Sequence, residues 1–358
     1  MKLQRVQVPD FRVLKNVDIS FEKDFVPNIF PLGSQNGGGK STLLQLIFVL
    51  LHCSGDSDKH EFIKNMLHGF EIDENSQKRV LAKFDIWDGE KTVQLEFVVF
   101  NYSYRRNLLH NKNQPLILIS ENVLCRIDNM DIDNPEDFLN NLSNKIFLAA
   151  PATQIFLFLK KDSIDFIFKQ QNNDYSNNYY SLLKQSQYKL PGFFTYDFLA
   201  VDLLLEVFKS ARDKDFQQAI ETGEYGNNYQ KLVNELNQIL LNKKININTD
   251  LSGFTFKLDA EGEDIELYPE DLSHGELKRL SIYAWIKYNI IEGSIVLIDE
   301  IENGFHPDWQ YQIIKDIAEW APKNQYIIAT HSYELCQAVT PAHVKELEPR
   351  LIKQESES

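Results

Sequence analysis

The stretch that decides the fold is Leu32-Gly33-Ser34-Gln35-Asn36-Gly37-Gly38-Gly39-Lys40-Ser41-Thr42. The apolar run at residues 25–32 predicts a strand, and the apolar residues that recur over 43–51 at helical spacing predict a helix. A glycine-rich loop therefore joins a strand to a helix. Such a loop leaves backbone N–H groups free at a helix N-terminus, where the helix dipole favours phosphate groups.

Two polar side chains at the end of this loop also favour phosphate binding. Lys40 supplies a full positive charge, and Ser41 is placed to bind Mg²⁺ held between outer phosphates. The usual pattern has Gly six residues before the lysine, whereas Ser34 holds that position here and Gly33 precedes it. An ordinary glycine-rich turn is the alternative, which the order of strand, loop and helix disfavours.

Two further apolar runs end in residues that carry chemistry. Residues 295–298 lead into Asp299 and Glu300, and residues 326–329 lead into Thr330 and His331. Continuous apolar runs of this length are typical of strands covered on both faces, and ligands bind at the carboxyl ends of such strands. There a first carboxylate can orient a metal ion, a second can activate water, and a histidine can touch a phosphate. A solvated strand end and a core imidazole are the alternatives.

A third motif, Leu272-Ser273-His274-Gly275-Glu276, stands directly before a helical pattern at residues 280–291. Serine at a helix start can cap free N–H groups, with the glutamate three residues later completing a capping box. It can equally hold a phosphate. Both interpretations stay open on the residues alone.

Charge and composition exclude several classes of protein. The 358 residues carry a formal net charge of −15, which argues against a basic tail or a nucleic-acid coat. Direct nucleic-acid binding is expected to be weak, because the only concentrated basic and aromatic patch lies at residues 102–112 and also fits a solvated loop. The three cysteines form no CxxC pair, which fits a reducing cytosol.

The apolar segments at residues 43–53 and 146–159 are shorter than the roughly 20 residues that a spanning helix needs. Residues 1–6 have no apolar run behind them, so no signal peptide is expected. The expected location is the cytoplasm, without a membrane partner.

The expected fold class is α/β, a mixed β-sheet with flanking helices, a β ornament and a helical lid insertion. Strands are predicted at residues 3–8 and 17–21 with a turn at Pro9-Asp10, and a hairpin over 80–100 turns at Asp88-Gly89. Helices are predicted at 198–211 and 229–241, a second hairpin at 254–267, and an exposed loop or lid at 170–180. The chain is expected to divide into an N-terminal lobe at 1–100, a largely helical insertion at 101–250 and a C-terminal lobe at 251–358.

Taken together, these motifs resemble the heads of ABC-type ATPases, in the branch that holds RecF, SMC and OLD-like proteins. The loop at 33–42 resembles the Walker A motif, 272–276 the signature, 295–300 the Walker B strand, and His331 the switch histidine. The acidic segment at 299–307, which ends in His-Pro, is similar to that of OLD-like heads, and Asp10-Phe11-Arg12 resembles their opening. His274 and Glu276 stand where many relatives have Gly and Gln.

The resemblance implies an ATPase that uses ATP and Mg²⁺ and works as a homodimer, with each nucleotide held between the loop of one copy and the signature of the other. The resemblance assigns nucleotide binding to Arg12, Gly33, Ser34, Gln35, Asn36, Gly37, Gly38, Gly39, Lys40, Ser41 and Thr42. It assigns magnesium binding to Ser41, Asp299 and a Q-loop residue, Gln154, and catalysis to Glu300 and His331. The signature, which acts on the nucleotide of the other copy, is assigned to Ser273, His274, Gly275 and Glu276. For Gln154 a polar loop residue is the alternative.

The resemblance defines an ATPase but not the process that ATP hydrolysis drives. OLD-like nucleases continue into a Toprim domain of well over a hundred residues, whereas 358 − 331 = 27 residues follow His331. The hypothesis is therefore an ATPase subunit of a bacterial anti-phage system of the Septu, PARIS or retron type, acting with a separately encoded effector such as a nuclease. The alternatives are a RecF-like repair ATPase and a nucleotide-clamped scaffold with little turnover.

Overall fold

The computed structural model describes residues 1–34, 37–72, 76–108, 116–128, 134–152, 154, 181, 184–196, 200–240, 242–250, 252–260, 263–288 and 291–347. The chain forms two compact units, each built from separate stretches of sequence. The first unit comprises Met1–Phe194, Glu292–Glu302 and Pro322–Ser358, and the second comprises Thr195–Ile291 and Asn303–Ala321.

Strands and helices are numbered here along the chain. The strands are β1 Lys2–Phe11, β2 Leu14–Ser20, β3 Ile29–Gly33, β4 Lys78–Trp87, β5 Thr92–Phe100, β6 Leu116–Leu118, β7 Val123–Asp128, β8 Ile146–Ala150, β9 Phe193–Thr195, β10 Lys243–Ile247, β11 Phe254–Ala260, β12 Glu263–Leu267, β13 Ile295–Asp299, β14 Gln325–Ala329 and β15 Lys345–Glu346. The helices are α1 Lys40–Cys53, α2 His60–Met66, α3 Tyr102–Leu108, α4 Pro135–Ser143, α5 Ala200–Thr222, α6 Asn228–Ile239, α7 His274–Tyr288, α8 Pro307–Trp320 and α9 Tyr333–Gln337.

Parallel strands at the centre of the first unit position the residues of the predicted nucleotide site. Its six-stranded sheet has the order β15-β3-β14-β13-β8-β9. β14 pairs in parallel with both β13 and β3, with Asp299 opposite Ala329 and Ala329 opposite Leu32. The carboxyl ends of β3, β14 and β13 therefore lie side by side, as the apolar runs predict.

The helix that follows β3 lies deep in the core of the first unit. α1 contacts β8, β13 and β14 as well as α2 and α4. Its residues 43–53 are all buried, because apolar side chains occupy nearly every position rather than one stripe. The strand, loop and helix predicted from the sequence are confirmed.

A second sheet of the first unit is antiparallel, with the order β2-β1-β4-β5-β7-β6. The predicted turn at Pro9-Asp10 is wrong, because β1 continues to Phe11 and turns at Arg12 and Val13. Pro9 lies past Gln7, the last β1 residue that pairs with β4. Within the described residues no strand pairs with that edge of β1 beyond Gln7, so proline's missing N–H costs no ladder hydrogen bond there.

The hairpin of β4 and β5 is confirmed, but its loop is longer than two residues. The loop spans residues 88–91, and Gly89 adopts a φ of 126°. The Asp88 carboxylate accepts the N–H groups of Glu90 and Lys91 at 2.7 and 2.8 Å. This side-chain capping closes the loop at a length that the Asp-Gly pair alone does not indicate.

The second unit combines a three-stranded antiparallel sheet, in the order β10-β11-β12, with α5, α6, α7 and α8. Both helices predicted in its first half exist, and α5 runs eleven residues past the expected end at 211. Asp215, in that extension, accepts the N–H groups of Asn228 and Tyr229 at 2.7 and 2.9 Å. A carboxylate of α5 thus satisfies free N–H groups at the start of α6 and fixes the pair as a hairpin.

The α/β fold class with a mixed sheet, flanking helices and a β ornament is confirmed. Residues 101–250 contribute strands to both sheets of the first unit, and the lobe boundaries at 100 and 250 stay a prediction. The stretch at 170–180, expected to be a loop or lid, lies outside the described residues. Within the described part of the chain, no helix combines the length and apolarity needed to cross a membrane.

A buried ion pair in the second unit offers a test of packing. Arg279 of α7 binds Asp316 of α8, with Nη2 and Oδ2 2.6 Å apart and side chains 15% and 8% exposed. We expect Asp316→Ala to lower the free energy of unfolding by about 3 kcal/mol, because it leaves a buried guanidinium without its partner. Urea unfolding monitored by circular dichroism measures this change.

The matched control is Asp213→Ala, which removes the carboxylate of the exposed Arg212–Asp213 pair in the same unit. That change is expected to leave the unfolding midpoint nearly unaltered, because exposed pairs contribute little. If the two variants lost the same free energy of unfolding, the structural role assigned to Asp316 would be contradicted.

Candidate nucleotide-binding site

The glycine-rich loop occupies the turn between Gly33, the last residue of β3, and Lys40, the first residue of α1. Gly37 and Gly39 have φ values of 80° and 87°, in the left-handed region that favours glycine. A Cβ on Gly39 would also lie 2.7 Å from Leu14 Cδ2. The loop therefore passes close to the β1–β2 turn, and Gly39 is required there by both conformation and space. Gln35 and Asn36 lie outside the described residues.

Lys40 is the charged centre of the loop and is only 5% exposed. Its Nζ donates to the carbonyl oxygen and the hydroxyl of Ser34, both at 3.0 Å, and lies 3.3 Å from His331 Nδ1. Burial lowers the pKa of Lys40, while the carboxylates of Asp299 and Glu302 act in the opposite direction. Ser34, the departure from the usual loop pattern, thus supplies a hydroxyl that binds the lysine.

Two of the residues expected to bind magnesium, Ser41 and Gln154, converge on the third, Asp299, at the end of β13. Asp299 is 1% exposed and accepts hydrogen bonds from the side chains of Gln154 and Ser41. Burial raises the pKa of Asp299 to about 6, and the nearby charges of Glu300 and Glu302 add to this rise. The structure therefore brings Ser41, Asp299 and Gln154 together.

This donor set fits Mg²⁺ in its chemistry. A hydroxyl and a carboxylate are hard oxygen ligands, and Mg²⁺ commonly takes one or two carboxylates with the remaining positions filled by substrate phosphates and water. Gln154 donates its amide N–H to Asp299, so direct binding of Mg²⁺ by Gln154 stays a prediction. Among the described residues there is no group of three or more His, Cys, Asp or Glu side chains arranged as an all-protein metal site. The arrangement suits a metal ion that arrives with a phosphate ligand.

Gln45 is a member of this network that sequence reasoning missed. Its Nε2 donates to Gln154 Oε1 at 2.7 Å, and Gln154 in turn donates to Asp299. Gln45 is 3% exposed on α1, one helical turn after Ser41. A lone amide in the apolar run at 43–51 was the available signal, because a buried polar side chain needs a partner.

Glu300 and Glu302 follow β13 directly. Glu300 has a φ of 53°, uncommon for a residue other than glycine, and its N–H donates to Ala329 O at 3.0 Å. Glu302 Oε1 accepts the N–H of His331 at 2.6 Å. The loops that follow β13 and β14 are therefore tied together next to Lys40.

Arg12, expected to bind nucleotide, is held in the β1–β2 turn. Its Nη2 donates to the carbonyl of Met66 at 2.8 Å, and its φ of 53° places it in the left-handed region. Its neighbours Val13 and Leu14 are the residues that approach Gly39. In the structure Arg12 thus contacts α2, and contact with a nucleotide stays a prediction.

The signature segment belongs to the second unit, where it forms the capping box that the sequence allows. The Ser273 hydroxyl and N–H both bind Glu276 Oε2, at 2.9 and 3.0 Å, and the Glu276 N–H returns to Ser273 Oγ at 3.2 Å. Lys243 of β10 pairs with Glu276 at 2.5 Å. The negative charge of Glu276 is therefore balanced by Lys243.

Ser273 and His274 are exposed, whereas Gly275 is buried. A Cβ on Gly275 would lie 2.8 Å from the carbonyl oxygen of Gly304, so only glycine fits between α7 and the segment before α8. His274 lies over Gly304 in the same region. The segment thus presents two polar side chains to solvent on a backbone that is tightly packed behind them.

A phosphate-binding loop at the carboxyl edge of a parallel sheet, with a serine and an aspartate converging beside it, defines a P-loop nucleotide-binding domain. Residues 35–337 match the family described as "AAA domain, putative AbiEii toxin, Type IV TA system". The match covers more than half of the chain, and the chain belongs to this family.

Two curated proteins are similar over part of the chain. The retron Ec83 probable ATPase of Escherichia coli is 30% identical over 108 residues, which cover 27% of this chain and 20% of that protein. The retron Vc95 probable ATPase of Vibrio cholerae serotype O1 biovar El Tor is 34% identical over 95 residues, covering 24% and 18%. The chain thus spans about a fifth of the length of these relatives.

Solved structures of SMC heads are also similar at low sequence identity. The SMC head bound to the C-winged helix domain of ScpA has a TM-score of 0.47 and 12% identity, over 95% of this chain and 93% of that chain. The SMC head domain from Thermotoga maritima has a TM-score of 0.46 and 10% identity, over 95% and 92%.

The raised pKa of Asp299 predicts how metal-dependent nucleotide binding changes with pH. Asp299 is a carboxylate above its pKa of about 6 and takes up a proton below it. Because Mg²⁺ and the proton compete for the same oxygens, affinity for Mg²⁺-nucleotide should fall about tenfold for each pH unit below the pKa. Fluorescence titration with a labelled nucleotide between pH 7.5 and pH 5 measures the fall.

Raising the Mg²⁺ concentration should move the midpoint of this fall to lower pH. Asp299→Asn provides the control, since its weaker metal-dependent binding should lose this pH dependence. A midpoint that does not respond to Mg²⁺ would contradict the role of Asp299.

Proposed function

We propose that the chain is an ATP-binding and ATP-hydrolysing ABC-type subunit of the OLD-like branch, acting in the cytoplasm as the sensor or regulator of a bacterial anti-phage system. The observation that carries the ATPase part is the convergence of Lys40, Ser41, Asp299, Glu300 and His331 at one edge of the parallel sheet. Family membership and the similarity to two retron ATPases support it.

The residues divide the work of hydrolysis between them. Lys40 and the amides of the glycine loop hold the outer phosphates, exchanging the contacts of Lys40 with Ser34 for contacts with phosphate oxygen. Ser41 and Asp299 would hold Mg²⁺, with Gln154 orienting the carboxylate. Bound Mg²⁺ neutralises charge on the phosphates. Glu300 orients the attacking water and accepts its proton, and His331 steadies the terminal phosphate.

A homodimer completes the site in this proposal. The signature segment at 273–276 of one copy closes on the nucleotide held by the other, as the resemblance to ABC-type heads implies. Two features of the segment support the role: the exposure of Ser273 and His274, and the Lys243 contact that balances Glu276. An unbalanced carboxylate at that position would repel a phosphate.

Variants at Lys40 and Glu300 separate binding from hydrolysis. Lys40→Ala should abolish ATP binding, because it removes the charge that faces the phosphates. Glu300→Gln should preserve binding and trap an ATP-bound dimer, because it removes only the group that activates water. ATP binding, ATP turnover and mass by light scattering with and without ATP measure these outcomes.

Glu319→Gln, the same chemical change at an exposed position of α8, serves as the control and should behave as the unmutated protein. Turnover by Glu300→Gln at the unmutated rate would show that another group acts as the base.

The output of the cycle is assigned to a separately encoded effector, such as a nuclease. In this proposal the acids that surround Lys40 serve nucleotide chemistry, and cleavage of nucleic acid belongs to another protein. Direct nucleic-acid binding is expected to be weak at a net charge of −15. In the predicted basic patch Tyr104 packs against Phe100, whereas Tyr102 is 82% exposed. Residues 109–112 lie outside the described part.

The chain purified alone should therefore leave plasmid DNA and RNA intact, and cleavage should appear only when the products of neighbouring genes are added. Reconstitution with each neighbour, using unmutated protein and Glu300→Gln in parallel, tests this division of labour. Robust cleavage by the chain alone that disappears in Glu300→Gln would overturn it.

A further inference from the structure

Glu302 is a buried carboxylate beside the proposed ATP site to which neither the motif pattern nor the proposed mechanism gives a role. It is 8% exposed, in the loop that follows β13. Its Oε1 accepts the N–H of His331 at 2.6 Å. Its Oε2 has no hydrogen-bond partner among the described residues. Burying a carboxylate with only one of its oxygens satisfied is costly, so the contact that it does make deserves an explanation.

The backbone around His331 is held at each neighbouring position. Thr330 Oγ1 accepts the N–H of Ser332 at 2.9 Å, and Ser332 Oγ accepts the N–H of Leu335 at 3.0 Å, which caps α9. Both Thr330 and Ser332 are buried. The N–H of His331 lies between these two positions, and the carboxylate of Glu302 accepts its hydrogen bond.

The imidazole of His331 reaches Lys40 from this anchored backbone. His331 is exposed as a residue, and its Nδ1 lies 3.3 Å from Lys40 Nζ. One side of the residue is thus fixed through the main chain by Glu302, and the ring faces the ammonium that would hold the phosphates. A displacement of the backbone at 331 moves the ring relative to Lys40.

We propose that Glu302 is a positioning residue of the ATP site, which fixes the main chain of His331 so that the imidazole meets the terminal phosphate next to Lys40. This inference rests on the proposed function of His331. It requires an acceptor oxygen at the length of a glutamate side chain and does not require the negative charge. Charge and reach can therefore be separated by substitution.

Two substitutions at the same position make opposite changes. Glu302→Gln removes the charge but keeps a carbonyl oxygen within reach of the His331 N–H. Glu302→Asp keeps the charge but shortens the side chain by one methylene, so the carboxylate no longer reaches. Both remain polar and close in size to glutamate, which keeps the fold intact.

The test measures kcat and KM for ATP in the unmutated protein, Glu302→Gln, Glu302→Asp, His331→Ala and the double variant Glu302→Asp/His331→Ala. Glu302→Gln should stay within about threefold of the unmutated kcat, whereas Glu302→Asp should lose about tenfold to a hundredfold, as misplaced groups do. KM should change little, because Lys40 and the glycine loop are untouched. The double variant should equal His331→Ala, because the shortened side chain has no ring left to misplace.

A reduced kcat in Glu302→Gln together with an unchanged kcat in Glu302→Asp would overturn the inference, because it would show that the negative charge of Glu302 is what matters. The inference would also be overturned if the fold-reductions in kcat of Glu302→Asp and His331→Ala multiplied in the double variant. A kcat that is unaffected by His331→Ala would overturn it as well. Failure of the proposed function is distinct from all of these outcomes, because it appears as absence of turnover in the unmutated protein. Thermal midpoints of all variants should agree, and a drop confined to Glu302→Asp would indicate a structural role instead.

Discussion

Parallel pairing of β14 with β13 on one side and β3 on the other is the constraint on which the site depends. It places the ends of three strands side by side, although their residues are about 300 positions apart in sequence at the extremes, from Leu32 to Ala329. In the proposed mechanism each strand then supplies a different part of the chemistry: the loop that follows β3, the carboxylates at the end of β13, and the histidine that follows β14. A strand slipped by one residue would shift Asp299 or His331 relative to the loop that follows β3, so the register of these pairings is also a condition for the site.

Much of this arrangement could be predicted, because its signals are local. The loop at 33–42 is defined by glycines that need left-handed φ values or close approach, and Gly37 and Gly39 have those values. Asp299 and His331 could be placed at one edge because uninterrupted apolar strands of an α/β protein run in parallel and end together. The grouping of Ser41, Gln154 and Asp299 needed one more step, the resemblance to a family whose members share that geometry.

What could not be predicted depends on contacts between distant parts of the chain. Turn propensity predicts a turn at Pro9-Asp10, yet β1 continues to Phe11, past the last residue that pairs with β4. The extension of α5 depends on Asp215 receiving the start of α6, a contact that no helical periodicity reveals. Gln45 and Glu302 looked unremarkable in sequence, since their importance comes from partners 109 and 29 positions away.

The two compact units interrupt each other along the chain, and this has a consequence for how the protein is made. The second unit includes Asn303–Ala321, a stretch enclosed between β13 and β14 of the first unit. During synthesis, neither unit has all of its residues when Ile291 leaves the ribosome, even though most of the second unit has by then emerged. The pairing of β3 with β14 must wait longer still, until residues 325–329 have emerged. Such a chain passes through a long interval in which unfinished cores can associate, so we expect it to be more prone to aggregation during synthesis than a chain whose units are continuous.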